Sequence, residues 1–265
     1  MNCKHFLVFL FCYFFSVAAF TQTTLITEKL DSIHWAVDRY LGFDPQQNQY
    51  AIEDNVLLKR TKNQIVVYKN LELGKIDHVD FQNPLQIVVF YKEFNTIILL
   101  DNQLNEIKQI DFNLNPTLIQ LEAVGLSAQN QLWLFDGNNN RLGLYATSTD
   151  HTKWISVPSS NSLMGYASDY NYFYWIDSSK RVYASSIYGN LSTIGFVPKY
   201  ESIQLINSNT ALYFIEQELY LYEIEKGTSM KIKITENFVD NFFFKDGILA
   251  IFTQNKITNY KLILP

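Results

Sequence analysis

Four short segments decide the fold: Gln120-Leu121-Glu122-Ala123-Val124-Gly125, Gln131-Leu132-Trp133-Leu134-Phe135-Asp136, Arg141-Leu142-Gly143-Leu144-Tyr145 and Lys153-Trp154-Ile155-Ser156-Val157. Each is rich in residues that favour strands, and Asn, Asp, Gly, Ser and Thr fill the turns between them. No helical spacing of apolar residues runs through this window. Four strands joined by short turns in about forty residues make up one blade of a β-propeller.

The same pattern recurs on both sides. Upstream, Asp77–Phe81, Gln86–Tyr91, Thr96–Asp101 and Glu106–Phe112 form a unit, preceded by Asp38–Phe43, Gln49–Glu53, Val56–Arg60 and Gln64–Asn70. Downstream, one unit starts at Leu163 and continues through Tyr172–Asp177, Arg181–Ile187 and Leu191–Phe196. Another starts near Ser202 and includes Ala211–Ile215, Leu219–Ile224 and Met230–Thr235. Unit starts near 38, 76, 119, 162, 201 and 238 predict six blades. The last unit has three strands, Phe238–Phe244, Ile248–Thr253 and Ile257–Leu262. A ring must close, so Thr24–Leu30 is expected to supply the missing outer strand of blade six and leave no long open edge. The alternative all-β arrangement is a β-sandwich, which also shows evenly spaced short strands.

The N-terminus reads as an export signal. Lys4 precedes the apolar run Phe6–Phe15, and Ser16-Val17-Ala18-Ala19 offers small residues for cleavage. Residues 1–19 are therefore expected to be a signal peptide, and 20–265 a single β-propeller domain. The apolar run is shorter than the roughly 20 residues a spanning helix needs, and nothing later reaches that length without charges. No membrane span is expected after cleavage, and the destination is periplasmic or secreted. Cys3 and Cys12 both fall in the signal, and the Leu10-Phe11 that precedes Cys12 lacks the small residue of a lipoprotein site. A mature chain without cysteine has no thiol catalysis, disulfide or cysteine-ligated metal.

Charge excludes further classes. The net charge is −5, and loss of Lys4 makes it one unit more negative. The four arginines are Arg39, Arg60, Arg141 and Arg181. An acidic, arginine-poor chain is a poor match for nucleic acid or anionic lipid.

Tyr172-Phe173-Tyr174-Trp175-Ile176-Asp177, followed by Arg181-Val182-Tyr183, resembles the second and third strands of a YWTD-type or NHL-like propeller blade. Asn83–Lys92 with Asn95–Asp101 is similar to uncharacterised exported bacterial proteins with propeller-like repeats. That resemblance implies fold and export and carries no activity with it.

Asp136-Gly137-Asn138-Asn139-Asn140-Arg141 is the most polar turn. It resembles the start of a calcium loop, but Arg141 and Thr147 stand where that loop wants glycine and glutamate. A hairpin turn accounts for it, and no metal or cofactor is expected. His34, His78 and His151 fall in different units without metal-ligand spacing. Asp77, His78 and Asp80 share one strand and need another blade to form a catalytic pair. No nucleophilic-serine, phosphate-loop or dinucleotide motif occurs. Asp136 and Asp177 end equivalent strands and lie on one face of the ring, where aspartate is a common strand terminator. Trp133, Trp154, Trp175 and Tyr174 are expected to pack between blades.

The leading expectation is a non-enzymatic binding or scaffolding module of the cell envelope with a protein partner. Its contact face is built from the second-to-third-strand turns: Tyr91, Lys92, Glu93, Phe94, Asp136, Asn138, Asn139, Asn140, Arg141, Asp177 and Lys180, continued by Glu216–Glu218. Tyr91, Phe94 and Tyr188 are the expected exposed turn aromatics. The alternatives are a hydrolase or lyase of an extracellular polymer that uses channel carboxylates, or a ligand sensor of an envelope complex.

Overall fold

The computed structural model describes residues 24–114 and 118–265. The signal peptide expected at 1–19, with Cys3 and Cys12, lies outside the described residues. Two strands open the chain, β1 (Thr24–Ile26) and β2 (Glu28–His34). Blade one is β3 (Arg39–Phe43), β4 (Gln49–Glu53), β5 (Val56–Arg60) and β6 (Ile65–Tyr68). Blade two is β7 (His78–Asp80), β8 (Ile87–Tyr91), β9 (Thr96–Leu100) and β10 (Glu106–Asp111). Blade three is β11 (Leu121–Leu126), β12 (Gln131–Asp136), β13 (Arg141–Ala146) and β14 (His151–Trp154). Blade four is β15 (Leu163–Ser168), β16 (Tyr172–Asp177), β17 (Arg181–Ser186) and β18 (Leu191–Phe196). Blade five is β19 (Ser202–Leu205), β20 (Thr210–Ile215), β21 (Glu218–Glu223) and β22 (Thr228–Lys233). Blade six contributes β23 (Asn241–Lys245), β24 (Ile248–Thr253) and β25 (Lys256–Lys261).

Each blade is an antiparallel meander whose first strand lies innermost, around a central channel. The protein is a six-bladed β-propeller, not a sandwich. Second-to-third-strand turns and blade-to-blade connections share one face, here the upper. First-to-second and third-to-fourth turns form the lower face. Among the described residues no helix is long and apolar enough to cross a membrane.

The core is divided into six seams, one between each pair of neighbouring blades. Alternation along a strand sends successive side chains to opposite faces. In β8, Ile87, Val89 and Tyr91 join blade one's Tyr50, Ile52 and Leu57, whereas Val88 and Phe90 join blade three's Leu132 and Leu134. Trp133 and Phe135 meet Phe173 and Trp175 in the next seam, and Tyr174 and Ile176 meet Ala211 and Tyr213 in the one after. Leu212 and Leu221 pack with Phe242 and Ile251, and Phe252 and Ile257 with Tyr40 and Leu58, which closes the circle. Because the middle strands are buried on both faces, they read as unbroken apolar runs.

Ring closure differs in detail from the sequence expectation. The strand that completes blade six is β2, shifted towards the C-terminus from Thr24–Leu30, and it pairs antiparallel with β25 from Glu28↔Lys261 to His34↔Lys256. Thr24–Ile26 goes elsewhere: β1 adds a fifth, parallel strand to blade five beside β22. Between them the Thr27 hydroxyl donates to the Lys233 carbonyl at 2.6 Å, where the chain steps from one blade to the next. An outer strand is covered on one side only, so β2 is mostly exposed and polar. Its register is held by Asn259 donating to Asp31 at 2.7 Å and by Lys29 facing the buried Glu236 carboxylate at 3.9 Å.

Removing residues through His34 should strip blade six of its outer strand and lower the melting temperature by roughly 10 °C or more, since each kcal/mol is worth about 2–4 °C in a domain this size. Removing residues only through Ile26 should cost less than half of that shift. Differential scanning calorimetry of the two truncations distinguishes the two strands.

Candidate functional site

The upper-face turns are internally braced. Asp136 is fully buried and accepts from the Asn138 backbone N–H at 3.1 Å, the Asn139 amide at 2.8 Å and Arg141 Nε at 3.1 Å. Arg141 also lies over the Trp154 ring, 3.9 Å from its centroid. Asn140 sits in the left-handed region and donates to the Ser159 carbonyl, and Asn138 reaches Leu118. Asp177 repeats the device one blade on. It is 1% exposed and accepts from the Ser179 and Arg181 backbone N–H groups, the Asn161 amide and the Tyr183 hydroxyl. In blade two, Lys92 crosses the seam to pair with Glu122. Glu93, Phe94, Asn138, Asn139 and Lys180 are exposed, with Phe94 lying against Gly74.

Two expectations are corrected here. Tyr91 is completely buried, because strand alternation turns it into the seam with blade one, so it belongs to no surface. Tyr188 is exposed, but in a third-to-fourth-strand turn, and therefore on the lower face away from Phe94.

The channel has a volume of about 820 Å³ and collects polar residues that the sequence reading did not gather. Most of them stitch one blade to the next. Arg39 donates to the Ile76 and Asp77 carbonyls of the loop entering blade two at 3.2 and 3.3 Å. Asp80 accepts from the Leu126 N–H of blade three at 2.7 Å, and Gln82 donates to the Leu126 carbonyl at 2.7 Å. Tyr166 reaches back from blade four, donating to the Val124 carbonyl at 3.2 Å and accepting from the Val124 N–H at 3.4 Å. Gln204 of blade five pairs with both backbone groups of Phe244 at 2.8 Å, and Asn241 of blade six donates to the Tyr40 carbonyl at 2.6 Å. Five of the six seams are bridged in this way. Such bonds satisfy inner-strand groups that have no further strand to pair with.

Close approach of neighbouring inner strands requires glycine at Gly125 and Gly42. At Gly125 a Cβ would stand 2.1 Å from Ser168 Oγ, and at Gly42 (φ +133°) it would collide with the Phe243 ring. These positions let blade four press on blade three, and blade six on blade one.

His78 is left outside the stitching. Its ring packs 5.1 Å from Tyr166 and makes no hydrogen bond among the described residues. Burial, helped by the Arg39 charge, lowers its pKa to about 4, so the imidazole is neutral at pH 7. Burial raises the Asp80 carboxyl against the pull of its hydrogen bonds and of Lys245. Burial also raises the Tyr166 phenol, and Asp77 and Asp80 add to the effect. Asp136 and Asp177 lie outside this channel, so the strand-end carboxylates do not join the channel set. Among the described residues no three His, Cys, Asp or Glu side chains gather as a metal site.

No known protein family matches the chain in sequence, and no curated protein does. Solved structures do match. A virginiamycin B lyase from Staphylococcus aureus with quinupristin aligns with a TM-score of 0.56 at 12% identity, covering 83% of this chain and 78% of that one. A protein of unknown function from Bacteroides thetaiotaomicron aligns at 0.57 and 14% identity, over 91% of this chain and 73% of that one. The extracellular domain of a B. thetaiotaomicron protein assigned to the one-component systems aligns at 0.51 and 13% identity, over 89% of this chain and 40% of that one. All three are β-propellers. At such identities the likeness shows the fold alone.

Chemically, the channel offers a neutral imidazole, an exposed carboxylate at Asp77 and a lysine at Lys245, set in a wall where Arg39, Asp80, Gln82, Tyr166, Gln204 and Asn241 are already bonded. Two measurements test this description. Gly125→Ala should destabilise the protein by about 1–3 kcal/mol through overpacking, and Ser168→Ala in the same chain should recover much of that loss in urea unfolding. The His78 pKa is lower folded than unfolded, so its contribution is complete above about pH 6.5 and is lost as pH falls towards 4. Between those limits stability should fall by at most about 1.4 kcal/mol per pH unit more steeply than in His78→Gln.

Proposed function

We propose that this chain is an exported, non-enzymatic propeller that binds a protein partner in the cell envelope through its upper face. The observation that carries this reading is that exposed apolar side chains stand on upper-face turns that are internally braced. Leu71, Phe94, Leu114, Leu118, Val157, Met164, Phe196 and Phe238 are each between 44% and 89% exposed, and all belong to upper-face turns, connections or strand ends. Exposed apolar side chains on rigid loops are suited to an interaction surface. The bracing of the turns by Asp136, Asp177 and the Lys92–Glu122 pair favours binding with little loss of loop entropy. Export rests on the N-terminal pattern of Lys4, the apolar run and the small residues before Phe20.

A second reading, a hydrolase or lyase that acts in the channel, is favoured by the neutral His78 beside Asp77 and Asp80. A ligand sensor would use the same channel without turnover.

The binding reading predicts that Phe94→Ser with Leu118→Ser and Met164→Ser loses a cross-linked envelope partner, which is then purified and tested directly. Melting should stay within about 2 °C, as expected for exposed positions. The lower-face variant Leu85→Ser with Tyr170→Ser and Tyr188→Ser should retain that partner. Equal retention by both variants, or turnover of an extracellular polymer abolished by His78→Ala, would move the function to the channel.

A further inference from the structure

We infer that the blade-four edge of the upper face binds an acidic, carboxylate-bearing peptide segment of the partner, with Arg181 as the carboxylate receptor. This rests on the upper-face reading and adds the chemistry of what is bound there. Three of the four arginines are engaged inside the protein. Arg39 donates to carbonyls in the channel wall, Arg141 pairs with buried Asp136, and Arg60 lies over Trp35 and reaches the His34 carbonyl. Arg181 is different. It is exposed and forms no ion pair among the described residues; its side chain hydrogen-bonds the Tyr183 hydroxyl, and its guanidinium lies 5.2 Å from the ring centroid of Phe196. Arg181 and Phe196 are cross-strand partners, so the stacking follows from the β17–β18 register.

A guanidinium has five N–H donors, so one stacked on an aromatic face and bonded to a single hydroxyl is ordered yet keeps donors for two parallel bonds to a carboxylate. Within this blade the nearby acid, Asp177, cannot fill that role, since four donors already hold it and it is 1% exposed. Two more cations flank the site. Lys180 is exposed at the turn apex, and Lys199 follows the segment that Val197 anchors by donating to the Lys180 carbonyl at 2.9 Å. Neither forms an ion pair among the described residues. Met164, 63% exposed, supplies apolar surface at the same strand end, next to Leu163, which pairs with Asp177. On a chain of net charge −5, three unneutralised cations beside two exposed apolar side chains run against the overall sign. A partner segment with acidic residues around an apolar one complements both features and is steered to this edge rather than to the acidic remainder.

The test uses a fluorescein-labelled peptide of six glutamates around a central leucine, with the glutamine version as control, and fluorescence anisotropy on the full chain. The glutamate peptide should bind and weaken with salt, and the glutamine peptide should not. Arg181→Ala should weaken binding at least about tenfold, and Arg181→Lys nearly as much, because a point charge lacks the paired N–H edge. Should Arg181→Ala lower the melting temperature, Lys180→Asn with Lys199→Gln gives the same reading without touching the stack. Failure of the wild type to bind the peptide, equal binding of the glutamine peptide, or unchanged affinity in both variants overturns the acidic-segment inference. If the cross-linked partner still depends on Phe94 and Leu118 in that event, the upper face remains the binding face and only the chemistry of the blade-four edge is wrong.

Discussion

No blade of this protein can stand alone. The two middle strands of each sheet are apolar on both faces, so every blade needs a neighbour on each side to remove that surface from water. A row of such sheets has two uncovered ends, and only a ring abolishes both. The antiparallel pairing of β2 with β25 follows from this need: it joins the two ends of the chain in one sheet, so opening any seam requires separating covalently and hydrogen-bonded neighbours together. The core is therefore not one cluster but six, arranged in a circle.

The same geometry governs the polar residues of the channel. Inner strands have a second strand on their outer side and none on the other, so their backbone groups would face the channel unpaired. Arg39, Asp80, Gln82, Tyr166, Gln204 and Asn241 meet these groups across the seams. What resembles an active-site funnel in residue type is to a large extent a set of interblade ties. The His78 ring and the Asp77 carboxylate stand apart from these ties. The upper face combines braced loops with exposed apolar and cationic groups.

Strand number, blade length and the aromatic seams were legible in the sequence, because strands buried on both faces leave continuous runs such as Ile87–Tyr91 and Leu132–Phe135. The closing strand was displaced by a few residues. Glu28–His34 faces solvent on one side and carries little apolar signal, whereas the more apolar Thr24–Ile26 docks on blade five. Tyr91 looked like a turn aromatic because it ends a strand, yet the phase of alternation places its ring in a seam. Asp136 and Asp177 were visible as strand-end carboxylates. Their engagement by Asn139, Arg141, Asn161 and Tyr183 depends on side chains brought in from other parts of the blade.

The sequence by itself determined the all-β class, the six repeats, the need for ring closure and the acidic, arginine-poor balance, because these depend on local periodicity and composition. Only the tertiary structure decided which polar side chains are free. Residues far apart in the chain become partners when blades meet, Asp80 and Leu126 across 46 positions and Tyr40 and Asn241 across 201. Whether a charged group is a tie, a turn brace or an exposed side chain such as Arg181 depends on those neighbours, which local pattern does not encode.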